Sequence, residues 1–289
     1  DGLRLGAGDG EILTRPAASD DPAALGTQDL VIVAAKTPSL GDVARAMAPL
    51  LHERTAVAFA VNGVFWFYGD GFAPGGLAPD TARLDRDGAL HRLIGPARTL
   101  GMVINSPNQV IAPGVVRNDA AENAFVLGEA LPEGTRAAPD RAPEIAAALS
   151  GCGFACRPSA SIRRDMWMKL IRNSASSPLC SLTGCDVATA YGDDAVRALA
   201  VALMRETLSV AIAHGFDDLP ADPENDVRPG MKLHHKPSML QDLERGRPME
   251  IDSQLAAVRD LGRQAGLAMP VMETVLALLM RRAREAGCY

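Results

Sequence analysis

One strand–helix–strand unit restricts the fold of this chain more than any other feature. Asp29-Leu30-Val31-Ile32-Val33-Ala34-Ala35-Lys36 is a continuous apolar run between two charges. That is the pattern of a parallel strand buried on both faces. Ser39 to Leu51 follows, with Leu40, Val43, Ala44, Met47 and Leu50 at spacings that gather them on one helix face. Thr55 to Val61 is a second apolar run, closed by Asn62-Gly63. Two strands joined through a helix lie parallel in one sheet, so the unit predicts an α/β fold built on a doubly wound sheet.

Around this unit the chain divides into two regimes. Residues 1–158 are strand-rich and punctuated by Gly and Pro. Leu3-Arg4-Leu5 and Glu11-Ile12-Leu13 read as a hairpin across Gly6-Ala7-Gly8-Asp9-Gly10. Met102-Val103-Ile104, Val110-Ile111, Val115-Val116 and Ala124 to Leu127 read as further strands, some antiparallel. Arg141 to Leu149 reads as a helix, and Gly151 to Arg157 as a last strand or linker. Residues 159–289 read as helices: Arg163 to Ser174, Asp194 to His214, Leu233 to Arg245, Pro248 to Ala265 and Pro270 to Ala286. Pro248 and Pro270 suit a first helical turn, and Gly215 and Gly266 suit the position just past a helix end. Two domains follow, 1–158 and 159–289. Tyr68 to Pro79 is Gly/Pro-rich and reads as a surface loop.

Composition narrows the function. The net charge is −6 without a Lys/Arg cluster, so nucleic acid is not an expected partner. No apolar run approaches the roughly 20 residues a membrane helix needs, and no signal peptide is expected. The five cysteines are odd in number and lack CxxC spacing. This favours a cytoplasmic protein with reduced thiols over a disulfide or zinc framework.

Several residues are placed where chemistry could occur. Lys169 and Asn173 lie four apart on one helix face, which Ser177 continues. An ammonium beside amides and hydroxyls suits a carbonyl and a carboxylate, although a lone helical lysine is more often a solvated surface residue. Lys36 and Asn62-Gly63 end consecutive strands, at the edge where open α/β sheets bind ligands; a loop lysine and a β-turn are the plainer readings. Ser238 to Asp242 leads into Gly246-Arg247-Pro248-Met249-Glu250-Ile251-Asp252, with Glu250 in the first turn of a helix, where helix capping alone would explain it. His234 and His235 are adjacent and diverge on a helix, a poor metal pair; no metal site is expected. The Gly6 to Gly10 cluster does not match a dinucleotide fingerprint, because Glu11 stands where the third glycine belongs and a strand-like run follows. No GxGxxG appears elsewhere, and the chain opens on Asp1. A first strand–helix unit preceding Asp1 is therefore expected.

Along essentially its whole length the chain resembles the ketopantoate reductase (2-dehydropantoate 2-reductase) family. The resemblance is carried by Asp29 to Lys36, by Val61-Asn62-Gly63, by Trp167-Met168-Lys169-Leu170 with Asn173, and most specifically by Lys236-Pro237-Ser238-Met239-Leu240-Gln241-Asp242 running through Gly246-Arg247 to Glu250-Ile251-Asp252. It implies a Rossmann-type domain, N-terminally incomplete, followed by an all-helical domain, with the active site in the cleft between them. It implies NADPH-dependent reduction of 2-dehydropantoate to pantoate, on the route to pantothenate and coenzyme A. It further implies Lys169 as general acid, Glu250 as its partner, Asn173, Ser177, Ser238 and Asn62 as substrate contacts, and Lys36 and Asn62 as cofactor-side residues. Ser177 stands where the family usually has a second asparagine. A homodimer through the helical domain is a family-level expectation, for which the apolar face of Val271 to Met280 is a candidate; a core helix has the same pattern. Two other functions stay open. Ser177 and the aromatic stretch Phe65-Trp66-Phe67-Tyr68 motivate a reductase of a different 2-oxo acid, and the missing fingerprint motivates a non-catalytic binding or dimerisation remnant.

Overall fold

A computed structural model describes residues 2–7, 10–76, 78–118, 123–137, 139–153 and 155–289. In chain order the strands and helices are β1 (Leu3–Ala7), β2 (Gly10–Thr14), β3 (Leu30–Val33), α1 (Leu40–Ala46), β4 (Ala56–Phe59), α2 (Ala89–Leu93), β5 (Thr99–Asn105), β6 (Gln109–Ala112), β7 (Val115–Asn118), β8 (Ala124–Glu129), α3 (Ala142–Gly151) and β9 (Ala155–Pro158), then α4 (Ile162–Thr183), α5 (Val187–Gly192), α6 (Asp194–Ala213), α7 (Pro223–Asp226), α8 (Ser238–Glu244), α9 (Ala257–Gln264) and α10 (Pro270–Glu285). The change from sheet to helix falls between Pro158 and Ile162. No helix among the described residues is long and apolar enough to cross a membrane.

The main sheet has the order β3-β4-β5-β8-β9. β3, β4 and β5 run parallel, as the crossover helix α1 requires, and β8 enters antiparallel to β5. β4 is buried on both faces. Among the described residues β3 is the last strand on its side of this sheet, and Ile32 is 44% exposed there. A second, smaller sheet has the order β2-β1-β7-β6. The expected hairpin is present as β1 antiparallel to β2, although Gly8 and Asp9 of its turn lie outside the described residues.

Two glycines let the halves meet. Gly101 of β5 pairs with Gly128 of β8, and the first residue of α4 lies on them. A Cβ on Gly101 would stand 2.8 Å from Ile162 Cγ1, and one on Gly128 would stand 2.9 Å from Ile162 Cβ. Glycine within a strand marks such a close approach. The aromatic stretch Phe65 to Tyr68 is buried beside them and belongs to the core. Tyr68 Oη accepts from Trp167 Nε1 at 3.0 Å and bonds His214 Nδ1 at 3.0 Å. The buried Arg163 donates to the carbonyls of Phe67, Tyr68, Asp70 and Ala130. Burial pushes its guanidinium down to about 10, against the usual strong preference for charge.

In the helical half, α4 packs against α6, α8 and α10. It continues well past the expected end at Ser174 and contains Pro178. Burial of Leu179 and Cys180 offsets the hydrogen bond the proline removes. Two expected helices begin later than their periodicity suggests. Leu233 to Pro237 is not helical, because the carbonyls of Leu233 and His235 accept from Ala188 and Val187 at the start of α5. The helix expected from Pro248 starts at Ile251, because Met249 N donates to Cys288 O instead. Its opening turn, Asp252–Ala256, is π-helical before α9. The apolar face proposed for dimerisation is occupied within the chain: Met272, Val275, Leu276 and Leu279 are core residues.

Candidate active site

Lys169 sits two turns into α4, where the glycine-lined contact with the sheet fixes the helix direction. Its Nζ donates to Asn62 Oδ1 at 2.7 Å and to the carbonyl of Ile104 on β5. An ammonium has three donors, so one N–H of Lys169 has no acceptor among the described residues. Burial pushes the amine down to about 8, and the charge of Glu250 acts in the opposite direction.

Asn62 stands just beyond the carboxyl end of β4. While its oxygen accepts from Lys169, its Nδ2 donates to Glu250 Oε2 at 3.2 Å. Glu250 Oε1 accepts from the backbone N–H of Thr37 at 3.2 Å. Lys169 and Glu250 make no direct ion pair; Asn62 connects them. Glu250 is only 6% exposed. Burial raises its pKa, against the lowering effects of the Thr37 N–H, Asn62 and the nearby charge of Lys36. Helix capping does not account for the Glu250 carboxylate: the residue stands directly before its helix, but its carboxylate oxygens accept from Thr37 N and Asn62 Nδ2, and no N–H of that helix bonds to them among the described residues.

The carboxyl edge of β3 is tied to the helical half as well. Lys36 Nζ pairs with the buried carboxylate of Asp242 on α8 and donates to Pro248 O at 3.3 Å. Asp242 also pairs with Arg247 at 3.3 Å. Thr37 Oγ1 contacts Ser253 Oγ at 3.3 Å, and Val64 N donates to Ser253 O at 2.8 Å. The segment bearing Glu250 is thus held on both sides.

Of the residues singled out in the sequence, Lys169, Asn62, Glu250 and Lys36 converge on this cleft. Asn173 lies one turn beyond Lys169, half-buried, and its carboxamide bonds to no described residue. Ser177, a turn further, is 3% exposed, and Ser238 is exposed at the start of α8. These three make no hydrogen bond to the Lys169–Asn62–Glu250 chain. Thr37, Ile104 and Ser253 were not legible as site residues: two act through backbone groups and the third through a turn of irregular pitch. Thr37 alone had a signal, its place after Lys36 at a strand end. A cavity of about 850 Å³ borders Thr37 and Pro248 but not Lys169.

Comparison with known proteins identifies the family. Residues 1–65 match the family described as ketopantoate reductase PanE/ApbA, and residues 161–283 match its C-terminal counterpart. A 2-dehydropantoate 2-reductase of Mesorhizobium japonicum is 38% identical over 292 aligned residues, covering 100% of this chain and 87% of its own. A crystal structure of 2-dehydropantoate 2-reductase from Geobacter metallireducens superposes with a TM-score of 0.82 at 28% identity, covering 97% of this chain and 86% of that one. A PanE/ApbA family ketopantoate reductase from Ralstonia eutropha gives 0.79 at 25%, covering 99% and 86%. The Lys169–Asn62–Glu250 chain therefore sits within a protein that belongs to the ketopantoate reductase family.

Proposed function

We propose that this protein reduces 2-dehydropantoate to pantoate with NADPH, a step toward pantothenate and coenzyme A. The observation that carries the reading is the hydrogen-bonded chain from Lys169 through Asn62 to Glu250. It joins the two halves at the carboxyl edge of parallel strands, the edge where open α/β sheets take ligands.

The donor set at that edge, an ammonium from Lys36 and a carboxamide from Asn62, suits the nicotinamide end of a dinucleotide. When bound, the reduced nicotinamide supplies the hydride. Lys169 does the rest of the polar work. Its remaining N–H is the donor for a substrate carbonyl oxygen, stabilising the negative charge that develops there and delivering a proton to it. A lysine pushed down to about 8 gives up that proton more readily than a solvated one. Asn62 holds the ammonium in place, and Glu250, fixed by Thr37, holds Asn62. Asn173, with its free carboxamide, is the substrate contact nearest the lysine along α4. Ser238 and Ser177 complete the substrate side, Ser238 from the opposite wall.

The test is NADPH oxidation by the full-length protein with 2-dehydropantoate, beside Lys169→Ala. Turnover that the substitution lowers by a factor of about 10² to 10⁴ is expected for loss of a general acid. Absence of turnover in the wild type, or an active alanine variant, would overturn the assignment.

A further inference from the structure

A second cavity, of about 770 Å³, opens where the small sheet faces the helical half. Asn108, Gln109 and Arg117 form one wall; His235, Lys236 and Arg245 stand on the other. Both walls are joined along the chain to residues of the candidate site. Pro107, on the rim, comes three residues after Ile104, whose carbonyl holds Lys169, so at most about 10 Å of chain separates them. On the other side Lys236 precedes Ser238 by two residues.

Basic groups outnumber acidic ones on the helical wall of this space. Among the described residues that wall carries Lys236 and Arg245 and one carboxylate, Glu244. Glu244 is taken by Lys236 at 2.6 Å. Arg245 touches only Gln241 Oε1, at 3.5 Å, and pairs with no carboxylate among the described residues. The facing wall is firm: Asn118 Nδ2 donates to Asn108 Oδ1 at 2.6 Å and to Asn123 Oδ1 at 2.8 Å. A cleft lined by one sign of charge concentrates the opposite sign, and an arginine fork matches a carboxylate in shape as well as charge.

We propose that this cavity is a distal carboxylate subsite of the same active site, so that the enzyme also takes 2-oxo dicarboxylic acids, with Arg245 and Lys236 receiving the far carboxylate. The assignment rests on the reductase reading. The 2-oxo group meets Lys169 as before, and the second charge lies away from the reacting atoms. The subsite therefore acts on binding and appears in KM more than in kcat.

The experiment compares 2-oxoglutarate with 2-oxovalerate, acids of equal chain length that differ by the terminal carboxylate, with 2-dehydropantoate as reference. Initial rates of NADPH oxidation are taken for the full-length wild type, Arg245→Gln and Lys236→Gln, both substitutions at exposed positions. The wild type is expected to favour the dicarboxylate in kcat/KM. Either substitution is expected to lower the ratio of the two kcat/KM values about tenfold, through KM, and added salt should lower it further. Reduction of 2-dehydropantoate with no turnover of 2-oxoglutarate, or with a ratio that neither substitution moves, overturns the subsite and leaves the reductase reading standing. Failure to reduce any 2-oxo acid overturns both.

Discussion

The carbonyl oxygen of Ser253 occupies the space that a side chain on Gly63 would need: a Cβ there would lie 2.4 Å from it. The same oxygen accepts from Val64 N at 2.8 Å. The loop carrying Asn62 is thus docked by its backbone onto the π-helical turn that follows Glu250, at a separation only glycine permits. Gly63 also has φ +89°, a conformation that costs other residues about 1–3 kcal/mol. Gly63→Ala is expected to lower kcat more than tenfold, since Asn62 and Glu250 would be pushed apart. Gly266→Ala is the control. It shares the positive φ, at +75°, but a Cβ there meets nothing within 4 Å. It should lose stability alone, and chemical denaturation beside steady-state rates separates the two effects. Equal kcat losses in both would show that the close approach is irrelevant to catalysis.

Asn62 makes two opposite demands on its amide, an acceptor for Lys169 and a donor for Glu250. Asn62→Ala removes both and leaves a buried carboxylate short of one partner. A fall in kcat of about a hundredfold, with much less change in stability, is expected from loss of positioning alone. Asn62→Asp replaces the donor with a second carboxylate. It would favour the charged form of Lys169 and the protonated form of Glu250, so the alkaline limb of its pH–rate profile should move upward. A profile identical to wild type would show that Asn62 does not couple the pair.

Burial sets the pH behaviour of Lys169, pushing it down to about 8 from 10.5. A general acid must carry its proton at the start of the step. Reduction should therefore be flat in pH below this value and fall about tenfold per pH unit above it. Stability moves the other way. Between about 8 and 10.5 the unfolded chain holds this proton more than the folded one does, so the contribution of Lys169 to stability rises with pH across that window. Rates of NADPH oxidation from pH 6 to 10, checked against denaturation midpoints at the same pH values, test both signs. A rate that climbs through pH 8 would exclude Lys169 as the acid.

What was legible in the sequence followed from how far each signal reaches. Apolar runs and helical spacing located β3, α1, β4 and the helix of Lys169, because those patterns are local. The placement of Lys36 and Asn62 at one sheet edge followed from topology. Two helix starts were missed for a non-local reason: the N–H groups of α5 and the carbonyl of Cys288 compete for the backbone at Leu233 to Met249. The link between Lys169 and Glu250 was visible only as two motifs, since Asn62, which joins them, is 107 residues from one and 188 from the other. Thr37 and Ile104 contribute backbone groups that every residue carries, so no side-chain pattern could mark them.

The buried Arg163 offers the sharpest test of how the sheet holds α4. Its guanidinium serves four carbonyls, three from the segment Phe67 to Asp70 and one from Ala130, each at 2.8 to 3.1 Å. It neighbours Ile162, the first residue of α4, with Lys169 less than two turns further along. Arg163→Leu would fill the space and leave the carbonyls of Tyr68, Asp70 and Ala130 without this donor, while Phe67 O keeps the N–H of Asp70 at 3.0 Å. Arg163→Lys would keep the charge, but its single nitrogen cannot reproduce the planar fork. Each buried carbonyl left unsatisfied costs about 1–3 kcal/mol, and the lysine variant should recover only part of the loss. Denaturant unfolding measures the cost. A leucine variant as stable as wild type would mean that these carbonyls find other partners, and that the glycine contact at Gly101 and Gly128 is enough to seat the helix.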